Sequence, residues 1–510
     1  MDFGFEVRAS DLMGRLGRLK VGGKVLETPY LFPVVHPVRQ LISPSTLRSM
    51  GFQGLMTNSY ILISRRREEV LDRGLHRTLG FDGVLMTDSG GYQVLEYGDL
   101  DVDCSEIARF QADIGSELAV TLDRPTGFSN SRQYARGTME YSLKNALATI
   151  KEYGGRKTVW VGPIQGGLFT KLLAKSARSL VGGGFRFLAL GSPVQVMENY
   201  RFPELVNMIV AARRAIPYSV PLHLFGAGHP LTMAMSVALG CDTFDSASYI
   251  LFARDGRYMT ERGVSRIESM GYLPCSCPVC AGTTVAELLE MEWAGRTEAL
   301  ATHNLHILRK EVEACKEAIL EGRLWDLVRE KAVSHPKLYA ALANFTEARD
   351  LFEGGTPPLK DRGLFVRDQV DMERPEIRRA QARLPHVLVR RSQTAVVLFG
   401  EVPPLLRRPR ALSDVPQGAD VYGVNPALGL YPAELAFVYP FTQTVAHETS
   451  EGDFRESAER LWKMGYSRVM AGAAGSNGRT SLRVMNRRSR TGSSPSARSS
   501  SARPRSPRRP

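Results

Sequence analysis

The 510-residue sequence has no run of eighteen apolar residues, and residues 1–24 carry charges every few positions with no apolar core segment among them. This excludes a membrane-spanning helix of ordinary length and a secretory signal, so the expected location is the cytoplasm. Net charge is also scarce over most of the chain. The formal balance is +13, but residues 471–510 contain ten Arg and no Lys, Asp or Glu. The remainder carries 56 basic and 53 acidic residues, a balance of +3. Bulk electrostatics therefore gives little argument for a nucleic-acid-binding body. A glycine-rich dinucleotide fingerprint between a strand and a helix is missing too, which counts against a doubly wound nucleotide-binding sheet. Cysteine is sparse, with six in all, yet three of them fall within six residues. In a chain of cytoplasmic type that spacing reads as metal binding, not as a disulfide framework.

What is present is a regular alternation. Short apolar runs at 30–35, 54–57, 83–87, 118–122, 158–161, 186–190, 222–225 and 242–244 each end at turn residues. Segments with helical periodicity, such as 131–153 and 198–215, lie between them. Eight strands alternating with helices over about 250 residues predict a (β/α)8 TIM barrel. The expected domains are a catalytic barrel with a metal site at 1–353, smaller α+β C-terminal units at 361–470, and a disordered tail at 471–510. Gly354-Gly355-Thr356-Pro357-Pro358 reads as the linker after the barrel. The tail is dominated by Ser, Arg, Pro, Gly and Ala, with too few large apolar residues to build a core. A chain cut after Met470 is accordingly expected to keep its fold.

Polar residues recur where the runs end. Asp88, Asp123, Gln165, Gly191, Gly226 and Asp245 each follow a predicted strand, and in a barrel those positions share the C-terminal rim where active sites sit. Asp245, between Phe244 and small residues, is a carboxylate placed to be partly desolvated. Standing alone, it reads more simply as a cap on the next turn. In Asp88-Ser89-Gly90-Gly91-Tyr92, two glycines allow close backbone approach to a ligand and Tyr92 offers a flat face. A tight βα turn explains the same residues. Gln165 offers a donor and an acceptor to one edge of a base. Phe225 either faces Tyr92 or belongs to the core. His36, His223 and His229 have no partner visible in the sequence and read as structural.

Cys275, Cys277 and Cys280 supply three thiolates, and a structural Zn2+ takes four ligands in a tetrahedron. His303 and His306, in the following helical segment, are both available as the fourth. A closed Cys3His set leaves no open position, so the metal would be structural.

With these segments in hand, the sequence resembles the tRNA-guanine transglycosylases, and most closely the archaeal ones. Asp-Ser-Gly-Gly-Tyr-Gln-Val at 88–94, Pro-Ile-Gln-Gly-Gly at 163–167 and Ala-Leu-Gly-Ser-Pro at 189–193 occur in the family's order. Phe-Gly-Ala-Gly-His-Pro at 225–230, Phe-Asp-Ser-Ala-Ser-Tyr at 244–249 and the cysteine cluster followed by His303-Asn304-Leu305 continue it. The likeness covers residues 1–350 and continues more weakly to 470. It implies exchange of a genetically encoded guanine in tRNA for a 7-deazaguanine without backbone cleavage. For the archaeal branch it implies preQ0 (7-cyano-7-deazaguanine) at position 15 of the D-arm, on the way to archaeosine. By the same likeness Asp245 is the nucleophile and Asp88 the general acid/base. Asp123, Gln165 and Gly191 read the base, and Tyr92 and Phe225 sandwich it. Cys275, Cys277, Cys280 and His303 hold one zinc ion. Expected partners are tRNA, preQ0 and a second copy of the chain, with no membrane. The archaeal pattern usually ends in a tRNA-gripping PUA domain. The likeness fades where that domain would begin, so a separate PUA-containing protein joins the expected partners.

Two other readings compete. A non-catalytic tRNA-binding subunit of the same fold would lack one of the two carboxylates, and both are present. A zinc-stabilised nucleic-acid-binding protein would not need the polar set at successive strand ends.

Overall fold

The computed structural model describes residues 2–91, 103–399, 415–474 and 480–485. These fall into two compact units. The first comprises residues 1–382 with 443–445, and the second the remainder.

The first unit opens with an antiparallel sheet of β1 (Phe3–Asp11), β2 (Gly14–Val21) and β3 (Lys24–Thr28). Eight strands follow: β4 (Tyr30–Pro33), β5 (Gly54–Asn58), β6 (Val84–Asp88), β7 (Leu118–Val120), β8 (Val159–Ile164), β9 (Phe187–Leu190), β10 (Leu222–Leu224) and β11 (Thr243–Ser246). Every pairing between neighbours is parallel, and β11 returns to β4. A parallel bridge from Val34 to Met56 joins β4 to β5 and completes the ring. This is the (β/α)8 barrel that the alternation predicts.

Two cores follow from this closure. Phe32, Met56, Val84, Met86, Leu118, Val120, Val161, Phe187 and Ala189 fill the barrel interior, joined by Leu19, Val21 and Leu26 from β2 and β3. The N-terminal sheet thus plugs the bottom of the barrel with apolar side chains. A larger core packs the outer strand faces against helices, including Phe202–Ala215, Pro230–Ala238 and the long helix Trp293–Leu320. The hairpin of β12 (Arg257–Thr260) and β13 (Gly263–Arg266) follows β11, before the cysteine cluster. Among the described residues no helix is long and apolar enough to cross a membrane.

The barrel unit runs on past 353, where sequence composition suggests an end. Gly355 is buried, and a Cβ there would meet the Leu12 carbonyl oxygen at 1.7 Å. The two glycines read as a linker therefore include one required for close packing. Lys360 is buried between Asp11, at 2.6 Å, and Glu376. Trp325 Nε1 donates to Asp371 Oδ1 at 2.8 Å. The short strands β14 (Leu364–Phe365) and β18 (Thr444–Val445) pair in parallel within this unit.

The second unit is built on a five-stranded mixed sheet in the order β17-β16-β15-β19-β20. Its strands are β15 (Thr394–Phe399), β16 (Asp420–Asn425), β17 (Gly429–Pro432), β19 (Arg468–Ala474) and β20 (Thr480–Val484). Helix Glu451–Lys463 packs Phe454, Ala458 and Leu461 on Ala395, Val397 and Val469. The disordered tail expected from 471 is corrected here: β19 continues to Ala474, and β20 pairs antiparallel with it. Small residues such as Ala471 and Gly472 read as tail composition, yet backbone pairing to β15 and β20 holds them. The part of the expected tail at 486–510 lies outside the described residues.

Candidate active site and metal centre

Asp88, Asp123, Gln165, Gly191, Phe225 and Asp245 come from six different strand ends, and all line one cavity of about 930 Å³. Tyr92 lies outside the described residues. Asp88 ends β6, and Asp245 lies within β11, one position before its end, in register with Phe32.

Burial pushes Asp88 up to about 7, and the charges of Asp123 and Asp245 push in the same direction. The backbone N–H groups of Gly90 and Ser89 oppose this without cancelling it. Asn58 Nδ2 donates to Asp88 Oδ2 at 3.1 Å, and Ser59 Oγ to the Asp88 carbonyl at 2.7 Å. A carboxyl raised this far can both give and take a proton near neutral pH.

Asp123 is raised to about 6 by burial, although Gln165 Nε2 donates to its Oδ2 at 2.6 Å. The other end of the Gln165 amide accepts from Ser192 Oγ at 2.9 Å and Thr126 N at 3.2 Å. These bonds fix which way the amide points. Gly191 and Gly91 are required by close approach: a Cβ on the first would meet Gln165 Nε2 at 2.2 Å, and on the second Asp123 Oδ1 at 2.1 Å. Any larger residue at either position would dislodge the polar pair.

Asp245 Oδ1 accepts a hydrogen bond from Gly226 N at 2.9 Å and lies 3.0 Å from His223 Nε2. His223 is fully buried, so the structural role expected from its lack of a visible partner is incomplete: its partner is Asp245. Phe225 stands edge-on to the imidazole, with ring centroids 5.0 Å apart. His36 and His229 do serve locally. Each Nδ1 accepts a backbone N–H, at 3.1 Å from Val38 and Arg39 and at 3.3 Å from Leu231.

Asn58, Ser59, Thr126 and Ser192 escape the sequence reading as site residues, and the role of His223 beside Asp245 escapes it as well. Asn58 was within reach of it, because it stands at the end of β5 as Asp88 does at the end of β6. The others hold the site through partners remote in the chain.

The ligand atoms of Cys275, Cys277, Cys280 and His303 lie within 4.8 Å of one another. A tetrahedron with metal–sulfur bonds of about 2.3 Å has edges of about 3.8 Å, so the set can close on one ion. His303 turns Nδ1 towards Cys280 and Cys277, at 3.3 and 3.5 Å. Its Nε2 meets the Met259 carbonyl at 2.8 Å, an outer bond that would hold Nδ1 free for a metal. Tyr258 stacks on the imidazole at 3.6 Å and places its hydroxyl 3.3 Å from Cys280 Sγ. Among the described residues, His306 is not part of this cluster.

A barrel whose carboxylates line one cavity at its strand ends, with a Cys3His cluster in the same unit, has the architecture and side chains of a (β/α)8 enzyme. Comparison with known proteins narrows that class. Residues 11–337 match the family model described as queuine tRNA-ribosyltransferase. The tRNA-guanine(15) transglycosylase of Aeropyrum pernix is 40% identical over 447 residues, covering 86% of this chain and 87% of that protein. The proteins so named from Thermococcus kodakarensis and Sulfolobus acidocaldarius are 41% and 36% identical. They align over 80% and 88% of this chain, and over 70% and 90% of their own lengths. The chain belongs to the tRNA-guanine transglycosylase family of pentosyltransferases.

Proposed function

We propose that this enzyme exchanges guanine at position 15 of tRNA for preQ0 by two successive displacements at the ribose anomeric carbon. The observation that carries the reading is the meeting of Asp88 and Asp245 in one cavity with the Asp123–Gln165–Gly191 group. Asp245 attacks C1′ as the C1′–N9 bond breaks, and Asp88 delivers its proton to the departing guanine. The ribose is then held as an ester of Asp245. PreQ0 enters, Asp88 takes the proton from its N9, and N9 displaces the carboxylate with net retention. This is the two-carboxylate logic of retaining glycoside hydrolysis, with a base in place of water.

The flipped base must be gripped by its polar edge and its faces. Asp123 and Gln165 read the edge, Gly191 leaves them room, and Phe225 contributes one wall, with Tyr92 assigned to the other by likeness alone. Cys275, Cys277, Cys280 and His303 would hold Zn2+ as a structural ion, tying the segment after β13 to helix Trp293–Leu320. On this reading the enzyme works in the cytoplasm, where its tRNA substrate is found. A non-catalytic tRNA-binding subunit is disfavoured because both carboxylates are present at the same cavity.

The test is release of labelled guanine from tRNA on addition of preQ0, with D245N as the companion variant. D245N should release none and form no covalent tRNA adduct that survives denaturation. Turnover by D245N would end the assignment, and exchange at a position other than 15 would change the substrate.

A further inference from the structure

The register of two short strands brings an imidazole beneath the proposed nucleophile. Strands β10 and β11 pair His223 with Thr243 and Leu224 with Phe244. Side chains two apart on a strand share a face, so Thr243 and Asp245 both point the same way, as does His223 in register beside them. His223 is wholly enclosed, with the rings of Phe32 and Phe187 centred 6.3 and 6.5 Å away. Its two nitrogens have one polar partner each. Nε2 is 3.0 Å from Asp245 Oδ1, and Nδ1 is 2.9 Å from Thr243 Oγ1.

An ionised carboxylate only accepts, so Nε2 carries the hydrogen and Nδ1 accepts from the Thr243 hydroxyl. Thr243 thereby selects the tautomer. Gly226 N adds a second donor to the same carboxylate oxygen at 2.9 Å. Gly226 has φ +64, a left-handed conformation that favours glycine, and a Cβ there would meet Val194 Cγ2 at 2.4 Å. Among the described residues no hydrogen bond reaches Asp245 Oδ2, and Asp245 lines the cavity.

We propose that His223 is a positioning residue: with Gly226 N it clamps Asp245 Oδ1, and so selects Oδ2 as the oxygen that bonds to C1′. The inference rests on the reading of Asp245 as nucleophile. An Oδ2 lone pair forms the bond to C1′, the C1′–N9 pair leaves with guanine, and the proton comes from Asp88. Oδ1 becomes the ester carbonyl oxygen without moving, still accepting from both donors. In the second displacement the C1′–Oδ2 pair returns to the carboxylate, and the same two donors stabilise the charge that reappears. Rotation of the carboxylate would misplace the attacking oxygen by an ångström or more, and an error of that size costs about 10²-fold in rate.

The test compares H223N and H223Q in the full-length, metal-loaded enzyme, with rates normalised to folded protein. The Gln amide reaches the place of Nε2, whereas the Asn amide reaches only that of Nδ1. H223N should lose about 10²-fold in kcat with KM for tRNA unchanged, and H223Q should recover most of that loss. Loss of a merely structural histidine would not separate the two amides in this order. Equal losses, or a change confined to KM, would overturn the proposal. If H223N does not fold, T243V carries the test, because it keeps the imidazole and removes only the hydroxyl that fixes its tautomer. About a tenfold fall in kcat is then expected, and wild-type kcat in T243V would overturn the proposal. D245N separates the two ideas. Exchange by D245N defeats the nucleophile assignment, whereas an inactive D245N beside a fully active H223N defeats only the role of His223.

Discussion

If Asp88 donates the proton to the leaving base, the free enzyme must hold that proton when tRNA binds. With Asp88 raised to about 7, about 90% of molecules hold it at pH 6 and about 10% at pH 8. The kcat/KM for tRNA should therefore fall about tenfold between those values, approaching one decade per pH unit above pH 8. Burial is the largest cause of the shift and the Asp123 charge the next. D123N removes that charge and should move the falling limb to lower pH, but not to the ordinary carboxylate range, because burial remains. The measurement is single-turnover guanine release from pH 5.5 to 9 with enzyme in excess of tRNA but below saturation, so that the rate reports kcat/KM. The same shift has a stability sign. A carboxyl whose folded-state value is raised holds its proton more tightly folded than unfolded. Its cost to stability is absent below about pH 4, grows as pH rises, and is complete above about 7. The shift of about three units sets an upper limit of about 4 kcal/mol, reduced because Asp88 opens on the cavity. D88N should thus be inactive yet more stable than wild type at pH 8. A flat or rising kcat/KM across pH 6–8.5 would refute the acid assignment, and a destabilised D88N at pH 8 would refute the electrostatic account.

Three further outcomes are expected. H303A should lose the one bound metal ion, with thermal unfolding several degrees lower, by elemental analysis and calorimetry; full metal content in folded H303A would reject the ligand set. K360M leaves Asp11 and Glu376 buried without their shared cation and should cost about 3–5 kcal/mol in urea unfolding. A loss below about 1 kcal/mol would mean that the pair is not buried as described. Cutting after Met470 removes β20 and the pairing of Ala471–Ala473 with β15, so the second unit should become protease-sensitive, whereas cutting after Met485 should leave it resistant. Equal resistance of the two truncations would show that these strands contribute nothing.

The barrel was legible because each of its strands is a short apolar run ended by turn residues, and the site was legible because six residues, Gly226 among them, stand at those ends. The N-terminal sheet was not. In β1 and β2 charged residues such as Glu6, Arg8, Arg18 and Lys20 alternate with apolar ones, which reads as charge density until Leu19 and Val21 are seen to share an inner face. Gly354-Gly355 reads as a linker because glycine allows both freedom and contact, and only the Leu12 carbonyl decides between them. His223 lies in a three-residue strand with its partner twenty-two residues on, and nothing short of the β10–β11 register connects them.

The plug that β2 and β3 drive into the barrel floor makes the cavity a cul-de-sac. On the proposed reaction, the outgoing and incoming bases must use one doorway and one berth in turn. Guanine has to depart before preQ0 can arrive, while the tRNA stays moored by its ester. The enzyme is thereby committed to ping-pong order, with guanine and preQ0 competing for the moored intermediate. Free guanine becomes a reverse substrate as well as an inhibitor, so the ratio of the two bases in solution sets the direction of traffic.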